Sequence, residues 1–209
     1  MPLDWISLET IAILLSIGYL LLAIKESSLC WYCAFLSAMI FVYIFANVSL
    51  FMESLLNAFY MIMAVYGLFQ WRRGGDKREG LAIRSWAFST HLIIIICIFL
   101  VAGLSGHWLS SYTEAQFPYL DSLTTWASVV TTFMVARKIL ENWLYWLVID
   151  SFSIYMFVDR ELYQTAAMFG LYLFLALIGY FKWRKTYRRQ GRTHSETHAA
   201  SLARLEQEN

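Results

Sequence analysis

Charged residues and proline are both scarce in this chain of 209 residues. Only 15% of the residues are Asp, Glu, Lys or Arg, whereas soluble globular domains contain about 25%. The low charge therefore argues against an ordinary soluble domain. Pro2 and Pro118 are the two prolines, and their rarity favours long, uninterrupted helices.

The cysteines and the net charge exclude further classes of protein. Cys30, Cys33 and Cys97 all lie in apolar stretches, and an odd number in such places does not indicate the disulfide framework of a secreted protein. The formal net charge is +1 at pH 7, so no attraction to nucleic acid is expected. The sequence has no P-loop, which excludes ATP-driven chemistry within this chain. We expect no enzymatic activity, no cofactor and no metal site.

Hydrophobic residues make up 59% of the chain. A transmembrane helix needs about 20 largely apolar residues, and seven stretches approach that length. The predicted segments are 6–24, 29–48, 50–71, 86–104, 119–136, 140–158 and 163–183. The sequence therefore predicts an all-α polytopic membrane protein that crosses the lipid bilayer seven times.

Lys and Arg concentrate on one side of this topology. The basic residues that follow odd-numbered segments are Lys25, Arg72, Arg73, Lys77, Arg78, Arg84, Arg137, Lys138, Arg184, Lys185, Arg188, Arg189 and Arg192. The other side carries only Arg160. Because basic loops stay in the cytoplasm, we expect the N-terminus outside and the C-terminus inside, with the basic runs against anionic lipid. The polar tail, 184–209, is expected to be partly disordered or a surface helix.

The chain repeats itself at a spacing of about 112 residues, the separation of Trp31 and Trp143. The other matching pairs are Tyr43/Tyr155, Phe45/Phe157, Leu50/Leu162, Tyr60/Tyr172, Ala64/Ala176, Gly67/Gly179, Phe69/Phe181, Trp71/Trp183 and Arg72/Arg184. Residues 1–73 and 111–183 then form two parallel three-helix repeats, joined by a basic inner loop and linker helix over 74–110. Such repeats are a known transporter layout. The alternative is chance matching between aromatic-rich helices.

An acid stands at the centre of the sixth predicted segment, in the pattern Trp143-x-x-Trp146-x-x-x-Asp150. A carboxylate there costs roughly 2.5–3.5 kcal/mol on insertion scales, and such residues usually mark a substrate or ion path. The spacing places both indoles on the same helix face as the acid, which suits a pocket for an organic cation. The alternative is a structural acid bonded to hydroxyls such as Tyr43 or Thr125.

Further candidates for ligand contact come from the first half. The third segment offers Glu53, Asn57 and Tyr60 on one stripe. Trp31 matches Trp143, but Ala38 stands where the second half has its acid. We therefore expect an asymmetric pocket completed by these first-half residues.

Cys30-x-x-Cys33 offers a function of another class, that of a membrane thiol oxidoreductase. The charge distribution places this pair near the inner, reducing face, where disulfide-forming chemistry is not expected. A non-transporting membrane receptor is a further alternative. His91 has no partners at metal-ligand or triad spacing, and a packed or hydrogen-bonded histidine is expected.

The chain resembles the PnuC family of bacterial vitamin transporters. The resemblance rests on LFMESLLNAFYMIMAVYGLFQW at 50–71 and on 118–183, which includes ARKILENWLYWLVID and IGYFKW. It implies a seven-helix, 3+1+3 bundle like a full-length SWEET protein, often a homotrimer, in the bacterial inner membrane. It also implies facilitated diffusion of an unphosphorylated B vitamin, which a cytoplasmic kinase then traps.

The sequence departs from the family pattern at the acid. The family signature Trp-x-x-Trp-x-x-x-Asn lies in the substrate site, and here it ends in Asp150. Cys30 and Ser37 stand where riboside transporters are expected to have Asn. The Asp form is similar to the thiamine branch. We therefore predict a thiamine uniporter in which Trp143 and Trp146 stack on the vitamin and Asp150 holds its aminopyrimidine. Nicotinamide riboside is the second candidate and riboflavin the third.

Overall fold

The computed structural model describes residues 3–47, 51–75, 80–112, 116–159, 161 and 163–207, with side chains described except at 3–7, 51–53, 164 and 193–207. Seven helices occupy these ranges: α1 (Leu3–Ile24), α2 (Cys30–Asn47), α3 (Phe51–Arg73), α4 (Phe88–Tyr112), α5 (Pro118–Ala136), α6 (Asn142–Asp159) and α7 (Tyr163–Gln207). Each predicted segment corresponds to one helix, which confirms the all-helical prediction.

Three of the helices in the described residues are long and apolar enough, by length and composition, to cross a membrane. They are Cys30–Asn47, Phe88–Tyr112 and Thr165–Arg192. The described part of α1, Leu8–Ile24, is also apolar but shorter. The other helices hold more polar side chains, many of which face the interior of the bundle.

Apolar side chains cover the outside of the bundle, whereas small polar side chains lie within it. On α4, for example, Ile93, Phe99 and Leu100 are all more than half exposed. The buried polar residues are Ser37, Ser122, Ser128, Thr131, Thr132, Lys138, Asn142, Asp150 and Ser153. Thr131 and Thr132 donate to carbonyls four residues earlier, as hydroxyls in membrane helices commonly do. The distribution suits a lipid environment.

Two helices run further than their apolar segments. α4 continues past residue 104 to Tyr112, and over this extension the hydroxyls of Ser105, Ser110 and Ser111 bond back to carbonyls of their own helix. Pro118 stands in the first turn of α5, where its missing N–H costs nothing. α7 remains helical to Gln207, so the tail is an extension of the last helix rather than a separate segment.

The helices pack as two similar groups of three. Within the first group α2 contacts α1 and α3, and within the second α6 contacts α5 and α7. The groups meet through α3 against α5 and through α1 against α7. α4 packs on α5, so it lies on the side of the second group.

Four tryptophans make matching contacts in the two groups. The rings of Trp31 and Trp71 meet edge to face, with centroids 5.5 Å apart and planes at 87°. Trp143 and Trp183 repeat this arrangement at 5.4 Å and 89°. Trp71 and Trp183 also contact each other, at 5.9 Å. The four indoles therefore form one continuous cluster that joins the two groups.

A glycine makes room for the first indole of each pair. A Cβ atom at Gly67 would overlap the six-membered ring of Trp31, and one at Gly179 would lie 2.7 Å from Cδ2 of Trp143. At both positions the added Cβ atom would lie closer to the ring than van der Waals contact allows. The helix backbone must therefore be bare at these two positions for the rings to pack.

The second indole of each pair bonds to the other group. Trp71 Nε1 donates to the carbonyl of Val135 at 3.1 Å, and Trp183 Nε1 donates to that of Ala23 at 3.0 Å. Val135 and Ala23 both lie near the C-terminal end of the first helix in their group. These two bonds tie the groups together in a reciprocal way.

The turns after α1 and α5 have the same backbone geometry. Glu26 has a φ of 56° and Lys138 a φ of 52°. In each turn this residue donates to the carbonyl three residues earlier, and the next N–H reaches five residues back, the pattern of a Schellman motif. Lys138 Nζ and Glu26 Oε2 lie 3.5 Å apart and form an ion pair between the groups.

α4 and the segment before it attach to the loop between α5 and α6. Arg84 N donates to the Lys138 carbonyl at 3.0 Å, and Leu140 N donates to the Arg84 carbonyl at 2.8 Å. His91 Nδ1 lies 3.0 Å from Tyr145 Oη. This confirms the expectation of a hydrogen-bonded histidine.

Replacing Gly179 with alanine should destabilise the fold. The new methyl group would collide with the Trp143 ring, and overpacking of this kind costs about 1–3 kcal/mol. Thermal unfolding in detergent, followed by intrinsic fluorescence, should show a lower midpoint. Gly170→Ala on the same helix is the matched control, because nothing lies within 4 Å of its Cβ position and alanine favours a helix. Equal midpoints for the two variants would contradict the packing argument.

Candidate functional site

Asp150 lies in the interior of the bundle, where only 4% of its surface is exposed. Among the described residues, no side chain or backbone group forms a hydrogen bond or ion pair with its carboxylate. Burial of an unpaired carboxylate is costly. The site therefore favours a partner that brings a positive charge or hydrogen-bond donors.

Tyr172 of α7 is within electrostatic range of this carboxylate and forms a hydrogen bond with Ser16 of α1. Ser16 Oγ is 2.7 Å from Ser37 Oγ. The Ala12 carbonyl lies 3.0 Å from Ser16 Oγ and 2.9 Å from Ser37 Oγ, and each hydroxyl donates its one proton either to this carbonyl or to a neighbouring hydroxyl. A polar chain therefore runs from α1 and α2 of the first group to the edge of the acid in the second.

The other group contains the counterpart of this tyrosine. Tyr60 of α3 forms a hydrogen bond with Ser128 of α5, and these residues are separated from Tyr172 and Ser16 by the repeat spacing. Ala38, of which 4% of the surface is exposed, stands where the second group has its acid. The interior is therefore polar on both sides but contains an acid on one side only.

The two tryptophans of the α6 stripe have different surroundings. Trp143 is 1% exposed and is enclosed by Gly179 and Trp183. Trp146 is half-buried and packs at the edge of the core. In this conformation Trp146 is the indole with free surface, whereas the Trp143 ring is fully packed.

Buried indole N–H groups without a partner occur at equivalent places. Within the described part of the chain, neither Trp31 Nε1 nor Trp143 Nε1 has a hydrogen-bond acceptor. Trp31 is 2% exposed and contacts Tyr19 at 5.9 Å as well as Trp71. Like Trp143, it is enclosed in this conformation rather than open to a cavity.

The remaining candidates lie on α3. Asn57 and Tyr60 are both half-buried and less than one helical turn apart. The side chain of Glu53 lies outside the described residues. Tyr43 and Thr125, the hydroxyls considered as structural partners of the acid, are both exposed. Neither bonds to Asp150, which removes the support for a purely structural acid.

Tyr172 and Ser16 are two residues of this interior that the sequence patterns did not place in the site. Tyr172 had a signal, because it matches Tyr60 in the internal repeat. Ser16 had none, since serine is common in membrane helices and a single residue of this kind shows no pattern. Ser37 had one in the family resemblance, as a place where Asn is expected in riboside transporters.

A cavity of about 280 Å³ lies elsewhere, between α4, α5 and α6. Its lining is apolar and includes Ile98, Phe99 and Phe152. Ile149 contributes to it, but Asp150 does not. No charged side chain of the described residues lines this cavity, and it is distinct from the polar interior.

The cysteine pair is placed poorly for thiol exchange. Cys30 is fully buried and Cys33 is half-buried, and both are free thiols. A thiolate must reach its target to react, so the buried Cys30 weakens the oxidoreductase alternative.

A family model described as nicotinamide mononucleotide transporter matches residues 6–185. The chain belongs to this family. Its members are multi-pass membrane transporters, so the expectation of a PnuC-type protein is confirmed. Membership is consistent with a transporter rather than an enzyme.

The relatives are named for two vitamins. The nicotinamide riboside transporter PnuC of Escherichia coli strain K12 is 28% identical over 218 residues, which cover 90% of this chain and 89% of that one. The transporter of the same name from Neisseria mucosa is 23% identical, with 74% and 63% covered. The riboflavin/roseoflavin transporter RibM of Streptomyces davaonensis is 25% identical over 65% of each chain.

A solved structure has the same fold. The crystal structure of the vitamin B3 transporter PnuC aligns with a TM-score of 0.71 at 20% identity, over 90% of this chain and 84% of that one. The comparisons do not support the predicted thiamine branch, because the PnuC relatives are named for nicotinamide riboside.

Proposed function

We propose that this protein mediates facilitated diffusion of a cationic B vitamin, with nicotinamide riboside as the first candidate. The single observation behind the cation is Asp150, a buried carboxylate without a protein partner in the described interior. The names of the relatives favour the riboside. The pyridinium ring of the riboside carries a positive charge, which would complement the negative charge of the Asp150 carboxylate.

Thiamine is the second candidate, and Asp150 itself is the observation that favours it. The signature of the riboside transporters ends in Asn, as the resemblance implies, whereas this chain has an acid. A carboxylate accepts hydrogen bonds but donates none when ionised, which suits the amino group of an aminopyrimidine. Thiamine also carries a cation for the indole faces.

The site that we propose joins both groups of helices. Asp150, Trp146 and Tyr172 would contact the vitamin from the second group, with Asn57 and Tyr60 opposite them. Trp143 and Trp31 would contribute ring faces after a rearrangement, since both are enclosed here. Glu53 would contact the vitamin nearer the outer end.

The proposed architecture is a SWEET-like 3+1+3 bundle with parallel repeats about an axis along the membrane normal. It is supported by the matching tryptophan pairs and by the reciprocal indole–carbonyl bonds. Transport would follow from rocking of one repeat against the other. We further propose a homotrimer in the bacterial inner membrane, with the N-terminus outside and the C-terminus in the cytoplasm, and a cytoplasmic kinase that traps the vitamin.

A competition-binding panel of nicotinamide riboside, thiamine and riboflavin should identify the substrate. We expect one cation to bind and Asp150→Ala to weaken its affinity by about tenfold or more, the equivalent of 1.4 kcal/mol. Asp150→Asn should weaken thiamine more than the riboside, because both cations lose the charge of the acid but the riboside signature of the family carries Asn at this place. Asp159→Asn, on an exposed residue of the same helix, should leave the affinity unchanged. Wild-type affinity in both Asp150 variants would show that the acid does not contact the vitamin.

Tyr172 should act together with Asp150. Tyr172→Phe removes the hydroxyl within electrostatic range of the acid, and we expect several-fold weaker binding when Asp150 is present but little further loss in Asp150→Ala. A double-mutant cycle measures this coupling. The same cycle with Tyr60→Phe should be additive, because its half has no acid. Equal coupling for both tyrosines would show that the asymmetry plays no part.

Uptake into liposomes should follow the gradient of the vitamin alone. A uniporter needs no ion gradient, so an uncoupler should leave the initial rate unchanged. Accumulation against the vitamin's own gradient, abolished by the uncoupler, would instead indicate proton coupling.

A further inference from the structure

We propose that Glu26 and Lys138 form a latch that closes the basic end of the bundle and shields Cys30 behind it. Glu26 lies in the turn that follows α1, and Lys138 lies in the equivalent turn that follows α5. This end is the one where Lys25, Arg84 and Arg137 also lie.

Lys138 is the meeting point of several elements. Its ammonium lies 3.5 Å from Glu26 Oε2 and 4.8 Å from the centroid of the Trp71 ring. Its backbone carbonyl accepts a hydrogen bond from Arg84 N. One residue therefore contacts the end of α1, the end of α3 and the segment before α4.

The ion pair is largely removed from solvent. The side chain of Lys138 is 10% exposed and that of Glu26 is 22% exposed. Burial lowers the pKa of the Lys138 ammonium, and the neighbouring Glu26 carboxylate acts in the opposite direction. Loss of either partner would leave the other charge poorly solvated, which is much costlier than separation of an exposed pair.

The latch depends on divergence between the repeats. Glu26 and Lys138 occupy equivalent positions with the same backbone conformation. Identical repeats would place two like charges there, and they would repel. Opposite charges at this place attract, so the two groups are held together at the end where separation would open the interior.

Three contacts must therefore break together when this end opens. They are the ion pair and the two indole–carbonyl hydrogen bonds, Trp71 to Val135 and Trp183 to Ala23. The indole bonds are equivalent in the two groups. The ion pair is the charged member of the set, and Glu26→Gln removes it while leaving the Lys138 ammonium over the Trp71 ring.

Cys30 provides a built-in reporter of this opening. It begins α2 and is fully buried, and its N–H donates to the carbonyl of Ser27, the residue after Glu26, at 3.0 Å. A water-soluble maleimide would reach its thiol only when the latch opens. The measurement needs no vitamin, so its outcome does not depend on the proposed function.

The experiment uses Cys33→Ser/Cys97→Ser protein in lipid nanodiscs, which leaves Cys30 as the remaining thiol. We expect Lys138→Met and Glu26→Gln to raise the rate of maleimide labelling by about tenfold, through a shift in the population of the open state. The double charge swap, Glu26→Lys with Lys138→Glu, should return the rate toward that of the parent. Lys25→Gln removes an adjacent exposed charge and should not change it.

Labelling at the parent rate in both single variants would overturn the latch. The same conclusion would follow if the charge swap were labelled as fast as the single variants. Circular dichroism and the unfolding midpoint separate opening from misfolding, because an open latch keeps the full helical signal. A variant that labels quickly only after losing that signal would also count against the proposal.

Discussion

The close seating of Trp31 and Trp143 against bare helix backbone is the constraint on which the rest of the structure depends. Each ring occupies space that only Gly67 or Gly179 leaves open. Each ring in turn supports a second indole, whose N–H bonds to the opposite group. The cluster therefore joins packing within each group to hydrogen bonding between them.

The proposed function depends on a difference between two similar groups. The tyrosines at 60 and 172 both bond to a serine of the opposite group, and this arrangement alone would be neutral. Asp150 breaks the balance, because its counterpart is Ala38. A carboxylate without a protein partner in this interior makes a cationic ligand favourable on one side only.

The same kind of difference appears at the basic end. Glu26 and Lys138 share a backbone conformation that the repeat requires, yet they carry opposite charges. The two groups have matching positions here, and the residues at these positions have complementary charges. The polar interior and the ion pair are thus two outcomes of one architecture.

Sequence periodicity predicted several parts of the structure well. The seven apolar segments, the inward acid on α6 and the matched pair Gly67 and Gly179 could all be found by counting along the chain. The extension of α4 to Tyr112 was missed, because hydropathy falls where serine hydroxyls begin to bond to their own helix. Ser16 was missed because its role depends on Tyr172, a residue far along the sequence.

The sequence by itself determined the helices, their repeat and the position of an acid in the sixth helix, since these follow from local spacing and composition. Tertiary structure decided which faces are enclosed and which remain open. Trp143 and Trp146 share a stripe, yet only Trp143 is sealed, by Gly179 and Trp183. Local spacing fixes the face of a helix, whereas burial depends on the neighbour that packs against that face.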